Sequence, residues 1–411
     1  GMWVPFTIGV VGTAMLYYEG GTAALRAFGL ITWSTMTSFT LTAIPLFIFM
    51  AEILSNSGVG RRFYDGMAVL VRRLPGGLLQ TNIVGCAMFA AISGSSVATA
   101  ASIGSIALPN LKSRGYNMRI ACGTLAAGGT LGILIPPSIT MIIYGTLTET
   151  SIAKLFMAGV VPGFLLAAVY VAYVAIRCLL NPTLAPRADD PASPGETMRA
   201  LLGLSPLIGL MLTVLGGIYL GITTPTEAAA VGCVLALIIC AGFGKMSWIV
   251  LKLAMSNTVK LSTTMLFIIL SAILFSYGVE LSGAGEALIE LAAHLGLGPP
   301  GFLVVLIFVF LVLGCFLDGA GMIVLTVPLL LPVILAMGID VIWFGVFIVL
   351  MLELGMMSPP FGLNLFVVQG ISRESFPTVV LGALPFIAIL LCYAVFLILF
   401  PEVALWLPRN L

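Results

Sequence analysis

The residues best suited to chemistry are polar side chains set among apolar ones. Asp318 lies between two apolar stretches, and an earlier cluster carries only hydroxyls, at Ser93, Ser95, Ser96 and Thr99. An ionised carboxylate in apolar surroundings is costly, and such acids usually serve an ion or a substrate. We therefore expect Asp318 to serve an ion or substrate site. The alternative is a structural hydrogen bond to a helix end.

Two further acids, Glu52 and Glu353, also lie in apolar runs and have no basic residue near them in sequence. For both, support of a site and a structural cap are equally open interpretations.

Other chemistries lack the residues they need. The nearest match to a phosphate-binding loop is Gly244-Lys245, but Met246 follows where Ser or Thr is required and Ile239 replaces the first glycine. With one histidine and no HExxH motif, a histidine metal centre or a Ser-His-Asp triad is hard to build. A net charge of +1 gives no basic surface for nucleic acid. We expect neither an enzyme nor a nucleic-acid-binding protein.

Each half of the chain contains a double proline inside an apolar run, at Pro136-Pro137 and at Pro359-Pro360. Proline removes a backbone donor and disfavours helix in the residue before it, so each pair leaves carbonyls unpaired at membrane depth. Unwound carbonyls suit sodium, and a half-helix N-terminus attracts an anion. The sequence therefore predicts two broken helices that hold sodium and an anionic substrate, with a kink used only for packing as the alternative.

The elements that position these residues are predicted to be membrane helices. Hydrophobic residues make up 60% of the 411 residues and charged residues only 8%, against roughly 25% charged in a soluble domain. Runs of about 20 apolar residues recur and lack the alternation of barrel strands. They are 37–58, 156–178, 201–220, 227–243, 262–278 and 376–400. The solvent is therefore the lipid bilayer, and the predicted class is an all-α membrane protein.

The two halves repeat each other in sequence. A shift of 223 residues aligns 108–162 with 331–385 without a gap and pairs both double prolines and several glycines. Because glycine and proline determine the path of the backbone, a repeated fold is the economical explanation. The apolar run 201–220 has no counterpart in the first repeat, so we expect the chain to start inside that repeat.

Basic residues, which concentrate in cytoplasmic loops, flank both ends of 78–111. A segment with both ends on one side must turn back, and its polar centre, 93–96, suits the tip of a re-entrant hairpin. The equivalent segment 301–334 has acidic flanks and no Lys or Arg, so its ends are expected to face outward. The repeats are therefore predicted to be inverted, as in many secondary transporters.

These boundaries predict two inverted repeats joined by a cytoplasmic linker. The first repeat is 1–180, with a hairpin at 78–111 and a broken helix at 117–147. The linker is 181–200. The second repeat is 201–411, with a hairpin at 301–334 and a broken helix at 339–370.

Four stretches of the sequence, 91–99, 132–138, 221–230 and 353–364, resemble the large membrane subunit of tripartite ATP-independent periplasmic (TRAP) transporters. The resemblance covers essentially the whole chain. It implies sodium-driven uptake of an organic acid, usually a carboxylate, across the bacterial inner membrane. It further implies delivery by a soluble periplasmic binding protein, a small membrane subunit as partner, and an elevator-like movement of the part that carries the hairpins.

The resemblance also implies three sites. The first sodium site would comprise Ser93, Ser95, Gly132, Ile135 and Pro137. The second would comprise Gly314, Asp318, Gly355, Ser358 and Pro360. Substrate would lie between them, near Ser96, Thr99, Thr140 and Asn364. Some family members, sialic acid carriers included, have Asp in place of Thr99, which argues against sialic acid here.

We therefore expect a sodium-coupled permease subunit that imports a C4-dicarboxylate-like or other carboxylate, with sodium as the coupling ion and no organic cofactor. A stand-alone divalent-anion/sodium symporter of similar architecture is the first alternative. An ion channel whose broken helices line a pore is the second.

Overall fold

The computed structural model describes residues 4–186 and 193–410, except for the side chains of Leu25 and Ala27. Within these residues every regular element is a helix, so the predicted all-α class is confirmed. Six of the described helices are long and apolar enough to cross a membrane, or up to nine if each bent helix pair is one span.

The first half contains α1 Val4–Met36, α2 Ala43–Asn56, α3 Val59–Val71, α4 Leu78–Ser93, α5 Ser96–Ser113, α6 Met118–Leu134, α7 Ile139–Leu147 and α8 Ile152–Leu180. The second half contains α9 Pro194–Tyr219, α10 Pro225–Gly242, α11 Trp248–Ser282, α12 Ala284–His294, α13 Pro299–Leu313, α14 Gly319–Ala336, α15 Val341–Met357, α16 Leu363–Ser372, α17 Phe376–Leu399 and α18 Glu402–Asn410. Short 3-10 turns lie at Thr40–Thr42 and Pro182–Leu184.

The order of the elements follows the sequence repeat. The 223-residue shift carries α6 onto α15 from first residue to last, and it also carries the cap Asn117 onto the cap Asp340. Each cap accepts hydrogen bonds from two backbone N–H groups of the first helical turn, which fixes where the helix begins. That the two repeats have opposite orientations in the membrane stays a prediction.

The linker is shorter than the predicted 181–200, because α9 already begins at Pro194. Ser193 and Glu196 form a capping box around this start, and proline is favourable in the first turn. Residues 187–192 of the predicted linker lie outside the described residues. The apolar run 37–58 is not a separate span, since 40–56 forms the second part of a helix pair that bends by 54° after 28–36.

In space the helices form two groups that each combine both halves of the sequence. We call α1, α2, α9, α10 and α11 the frame helices, because they pack mainly on one another. We call α4–α8 and α13–α17 the hairpin group, which is organised around α6 and α15. Every residue of α15 from Trp343 to Met357 is buried, so this helix lies in the centre of the hairpin group.

Two short amphipathic helices, α3 and α12, connect the groups. The inward face of α3, which includes Phe63 and Tyr64, is buried, whereas Arg61 and Arg62 are exposed. The helix packs on α9 of the frame and on α4 of the hairpin group, and α12 packs on α14. Each hairpin therefore begins next to a helix that joins it to the frame.

Candidate functional site

The first hairpin, α4 and α5, folds back on itself against α6. Its direction is given by three contacts along α6 and the break that follows: Asn82 with Thr124, Gly94 with Pro137, and Gly104 with Leu125. The arm α4 therefore runs parallel to α6 and the arm α5 antiparallel to it. The tip at 94–95 lies beside the end of α6, where the double proline interrupts the helix.

Small residues allow this close packing. The arms of the first hairpin are rich in Gly and Ala, including Gly85, Ala90, Ala100 and Gly104, and short side chains let helix backbones approach. Gly94 ends α4 in the left-handed conformation, with φ of 59°. A Cβ at this position would lie 2.9 Å from the carbonyl oxygen of Pro137, so glycine permits both the turn and the contact.

The hydroxyls at this tip bond to one another and to the backbone. Ser93 Oγ lies 2.5 Å from Thr99 Oγ1 and donates to the carbonyl of Ser95 at 3.2 Å. Ser95 Oγ accepts from the N–H of Ala98 at 3.5 Å and caps α5. Hydroxyl and carbonyl oxygens therefore converge where the two arms meet.

The broken helix α6–α7 presents its interruption to this tip. The chain bends by 41° between α6 and α7, and both Pro136-Pro137 and Pro359-Pro360 are cis. Ile139 N–H, at the start of α7, donates to the carbonyl of Gly94 at 3.4 Å. Ser138 Oγ donates to the carbonyl of Ile133 at 2.6 Å and so bridges the break.

The structure thus brings together most of the residues predicted for the first sodium site. Ser93 and Ser95 lie at the tip, and a Cβ on Gly132 would come within 2.8 Å of the Ser95 carbonyl oxygen. Pro137 faces Gly94, and Ile135 is the C-cap of α6. Their role as sodium ligands stays a prediction.

The second hairpin, α13 and α14, differs from the first. Its arms scarcely touch each other over the described residues, and each packs on α15 instead. Gly285 at the start of α12 lies against Pro332 near the end of α14, whereas α13 follows α12 after a bend of 115°. Both ends of the hairpin therefore lie at the level of α12, and its arms diverge from the tip.

Its tip meets α15 through two glycines. A Cβ on Gly355 would lie 2.9 Å from the Cα of Gly314 and 3.0 Å from Met322 Cε, so no side chain fits here without movement. Asp318 caps α14 by accepting from the N–H of Gly321 at 3.2 Å. The structural role considered for Asp318 is therefore present, and it leaves the second carboxylate oxygen available.

Asp318 also borders an open cavity of about 400 Å³, which Gly314, Phe361 and Leu363 help to line. Of the other predicted ligands of the second sodium site, Ser358 Oγ donates to the carbonyl of Leu354 at 2.6 Å and Pro360 is exposed. The structure places all five predicted residues around the tip and the adjacent break, but less tightly than at the first hairpin.

The residue that follows the double proline differs between the two repeats. Ser138 follows the first double proline and is fully buried, whereas Phe361 follows the second and is 55% exposed. The first break is therefore covered by the hairpin tip, while the second opens onto a cavity.

The four predicted substrate residues are all buried. Asn364 Nδ2 donates to Ser96 Oγ at 2.5 Å, and this bond joins the second broken helix to the first hairpin. Thr99 bonds to Ser93, and Thr140 lies 2.7 Å from Ser138 Oγ. Asn364 Oδ1 has no hydrogen-bond partner among the described residues. These side chains adjoin the residues predicted for the first sodium site.

The two additional acids have different surroundings. Glu52 accepts from Asn56 Nδ2 at 2.7 Å and from Asn257 Nδ2 at 2.8 Å, so it ties α2 to α11 within the frame. Glu353 is fully buried in α15, and neither of its carboxylate oxygens has a partner among the described residues. The hydrogen bonds of Glu52 fit the structural interpretation. Glu353 makes no hydrogen bond among the described residues that would support it.

Sequence reasoning missed two contributors to this region. Ser138 closes the first break, and Phe361 borders the cavity beside Asp318. The repeat register pairs these two positions, so the exchange of a hydroxyl for an aromatic ring directly after the prolines was the available signal.

Comparison with known proteins identifies the family of this chain. The family described as "Tripartite ATP-independent periplasmic transporter, DctM component" matches residues 1–403. The large permease protein of the C4-dicarboxylate TRAP transporter of Pseudomonas aeruginosa is 36% identical over 391 residues, or 94% of this chain and 90% of that protein. The large permease protein of the ectoine TRAP transporter of Halomonas elongata is 32% identical over 418 residues, or 99% of this chain and 94% of that protein.

A solved structure supports the fold independently. The YdaH transporter of Alcanivorax borkumensis superposes with a TM-score of 0.60 at 18% identity, covering 94% of this chain and 90% of that one. The resemblance predicted from the sequence is confirmed by the family match and by the relatives, which are transport proteins and not enzymes. The chain belongs to the DctM family of TRAP transporter large permease subunits, which are multi-pass proteins of the bacterial inner membrane.

Proposed function

We propose that this permease subunit couples the inward movement of sodium to the import of an organic acid, a C4-dicarboxylate or a related carboxylate. The observation that carries the proposal is the seating of the first hairpin tip against the broken helix α6–α7. There the tip that carries Ser93 and Ser95 lies against Gly132 and the carbonyl of Pro137, where the double proline interrupts the hydrogen bonding of the helix.

The donor atoms favour sodium over a transition metal. Hydroxyl and carbonyl oxygens are ligands for hard cations, whereas transition metals prefer nitrogen and sulfur. Within the described chain, no group of three His, Cys, Asp or Glu residues could hold a metal ion. The first site would hold its cation with neutral oxygens, and the second would add the carboxylate of Asp318.

The substrate class rests on the relatives and on the neighbouring side chains. The Pseudomonas aeruginosa relative is named for C4-dicarboxylates, and the Halomonas elongata relative for ectoine. Ser96 and Asn364 supply hydrogen-bonding groups next to the start of α7, and a helix N-terminus favours an anion. Because these groups are buried, substrate would enter after a movement of the hairpin group relative to the frame.

The proposed cycle also involves two protein partners, as expected for a tripartite system. A soluble periplasmic binding protein would deliver the anion, and a small membrane subunit would complete the permease. The exposed apolar side chains along α1, which include Tyr18 and Trp33, offer membrane-facing area for lipid or for a partner helix.

Uptake into proteoliposomes tests this proposal. The permease with its small subunit is reconstituted, the cognate binding protein is loaded with radiolabelled succinate, and uptake is measured with and without an inward sodium gradient. We expect uptake that needs sodium and binding protein together and is indifferent to ATP.

Two outcomes would identify the alternatives. Sodium-dependent uptake without any binding protein would indicate a stand-alone symporter. Large currents that are not coupled to substrate would indicate a channel. ATP-driven uptake by the purified complex would overturn the mechanism.

A further inference from the structure

A second cavity lies between the frame and the hairpin group, away from both predicted sodium sites. It measures about 580 Å³ and is bounded by the end of α2, the start of α3, the outer face of α5 and the residues after α10. Its polar lining consists of Ser55, Ser102 and Ser105, together with Arg61 and Lys245.

The formal charges in this lining are all positive. Arg61 and Lys245 are exposed, and neither has a carboxylate within ion-pair distance among the described residues. Asp65, one turn further along α3, lines a different cleft with Arg72. Glu52 is held by Asn56 and Asn257, and it is not part of the lining.

A cation–π contact lies next to both cations in the chain. The guanidinium of Arg62 lies 5.0 Å from the centre of the Phe243 ring, and such cation–π contacts are attractive. This contact joins the start of α3, next to Arg61, to Phe243, two residues before Lys245. A pair of cations facing a low-dielectric wall raises the local concentration of anions.

The hydroxyls come from both groups of helices. Ser55 Oγ on α2 lies 3.1 Å from Ser102 Oγ on α5, and Ser105 is exposed on the next turn. Ser102 lies six residues after Ser96 on the same helix, or about 9 Å along it at the usual helical rise. The cavity is therefore lined by the same helix, α5, that carries the predicted substrate residue Ser96. It lies further along α5, toward the basic end of the hairpin.

We propose that this cavity is an oxyanion site that receives the carboxylate of the transported substrate on its way to the cytoplasm. Arg61 and Lys245 attract the carboxylate. Ser102 and Ser105 donate hydrogen bonds to it in exchange for their present bonds with Ser55 Oγ and with the Ser102 carbonyl. The proposal rests on the proposed function, because it takes the transported organic acid as the ligand. A phosphate headgroup of an acidic lipid has similar chemistry, and the test separates the two.

The first experiment measures the electrostatic potential at the site without requiring a known substrate. Ser105→Cys is placed in a background in which the accessible Cys315 and Cys392 are replaced by Ser. Its reaction rates with methanethiosulfonate reagents of opposite charge, sulfonatoethyl and trimethylammonioethyl, are then compared. We expect the anionic reagent to be favoured, and Arg61→Gln with Lys245→Gln to lower that preference by about tenfold or more.

Arg73→Gln is the matched control. Arg73 is another exposed basic residue near the same end of the hairpin, but it lines a separate cleft with Pro194 and Leu201. We expect it to leave the preference unchanged. An unchanged preference in the Arg61→Gln, Lys245→Gln variant, or an equal effect of Arg73→Gln, would overturn the site.

The second experiment identifies the ligand with succinate as the probe. In vesicles of phosphatidylcholine alone, succinate is expected to slow the anionic reagent at Ser105→Cys more than chloride at equal ionic strength. The Arg61→Gln, Lys245→Gln variant should lose that protection and take up substrate more slowly at an unchanged sodium requirement. If succinate does not slow the reagent, and phosphatidylglycerol added to the vesicles slows it instead, the cavity binds lipid and the proposal is overturned.

The failures of the two proposals are distinguishable. If uptake by the native permease proves independent of sodium, the proposed function fails while the charge preference at position 105 still reports the cavity. If uptake is sodium-coupled but succinate gives no protection, the oxyanion site alone is refuted.

Discussion

Ser95 and Asp318 occupy the same position in the two repeats and perform the same local task. Each caps the second arm of its hairpin by accepting a backbone N–H three residues further on. Serine and aspartate are both good N-caps, so capping alone does not explain why one position carries a charge. The carboxylate therefore points to an additional role, which we propose to be sodium binding.

Asp318→Asn separates the charge from the cap, because asparagine also caps helices well. We expect the sodium concentration for half-maximal uptake to rise by about tenfold or more, since a hydrogen bond or contact to a charged group contributes about 1.5–3 kcal/mol. Thermal stability in detergent should change little. The measurement is a sodium titration of uptake in proteoliposomes.

Asp340→Asn is the control for this comparison. Asp340 caps α15 at the surface through Ile342 and Trp343, so its replacement preserves the same kind of cap without touching the cavity beside Asp318. Equal sodium titrations for native protein and Asp318→Asn would remove Asp318 from the site.

Single residues were the most predictable part of the site. Asp318 and Ser93 stood out because polar groups are costly in apolar surroundings. The bond between Ser96 and Asn364 could not be foreseen, since these residues are 268 positions apart and only the packed structure brings them together. The resemblance grouped them without indicating that they touch.

At the scale of elements, the two hairpins have the same order of helices but pack differently. The small residues of α4 and α5 let their backbones approach, whereas α13 buries bulky side chains such as Phe302 and Phe310. The second hairpin therefore makes its close contact at the tip, where Gly314 meets Gly355.

Gly355→Ala is expected to push this tip away from α15. Overpacking of this kind costs about 1–3 kcal/mol, so the melting temperature in detergent should fall. The reaction of Cys315 with a maleimide should also become faster, because its sulfur lies 3.8 Å from the Pro359 carbonyl oxygen beside the displaced tip.

Gly370→Ala provides the comparison, since a Cβ on Gly370 meets nothing within 4 Å. Alanine is about 1 kcal/mol better than glycine inside a helix, so this variant should be as stable as the native protein or slightly more stable. Equal behaviour of the two variants would show that the contact at Gly355 is unimportant.

The topology of the hairpins can be tested by labelling from each side of the membrane. Single cysteines at Arg73 and Ser113, which flank the first hairpin, should both react from the cytoplasm. Cysteines at His294 and Ala336, which flank the second, should both react from the periplasm. All four positions are exposed.

Reaction of Arg73→Cys and Ser113→Cys from opposite faces would mean that 78–111 crosses the membrane. Reaction of all four cysteines from the same face would contradict the inverted orientation of the repeats.

Elements were foreseen where the backbone itself is constrained. Proline pairs predicted the breaks at 136–137 and 359–360, and the polar centre at 93–96 predicted the first tip. The early start of α9 was missed because its capping box, Ser193 with Glu196, lies within a stretch that reads as a polar loop. The diverging arms of the second hairpin depend on side-chain volume across the packed interface.

At the scale of the whole molecule, sequence halves and spatial groups do not coincide. The frame and the hairpin group each draw helices from both repeats, and hydrogen bonds join them at some points. The hydrogen bond between Ser55 and Ser102 is one such point, and it joins α2 of the frame to α5 of the first hairpin. If substrate moves with the hairpin group, this contact must separate in each cycle.

A disulfide between Ser55→Cys and Ser102→Cys should therefore stop uptake. The two hydroxyl oxygens are 3.1 Å apart, so the replacement thiols can reach each other. We expect uptake to fall to background after mild oxidation and to return after reduction.

Each single cysteine variant, oxidised in the same way, should keep its uptake. Full uptake by the cross-linked double variant would mean that the hairpin group does not slide past α2 during transport.

This arrangement is the part that the sequence could least predict. The apolar runs indicated membrane helices and the 223-residue shift indicated two halves, but nothing in the order of residues states which helices pack together. The cavity with Arg61 and Lys245 shows the same limit, because its walls come from segments nearly 200 positions apart.

The unequal exposure of the two breaks has a kinetic consequence. Ser138 is sealed beneath its hairpin, while the carboxylate of Asp318 borders a cavity that water can enter. If both clusters bind sodium as we propose, the cation beside Asp318 could exchange with the surrounding solution in this conformation. Loading would then be ordered rather than random. The ion at the first hairpin would bind early and be retained, while the ion beside Asp318 would remain in rapid equilibrium with the solution on its side of the membrane.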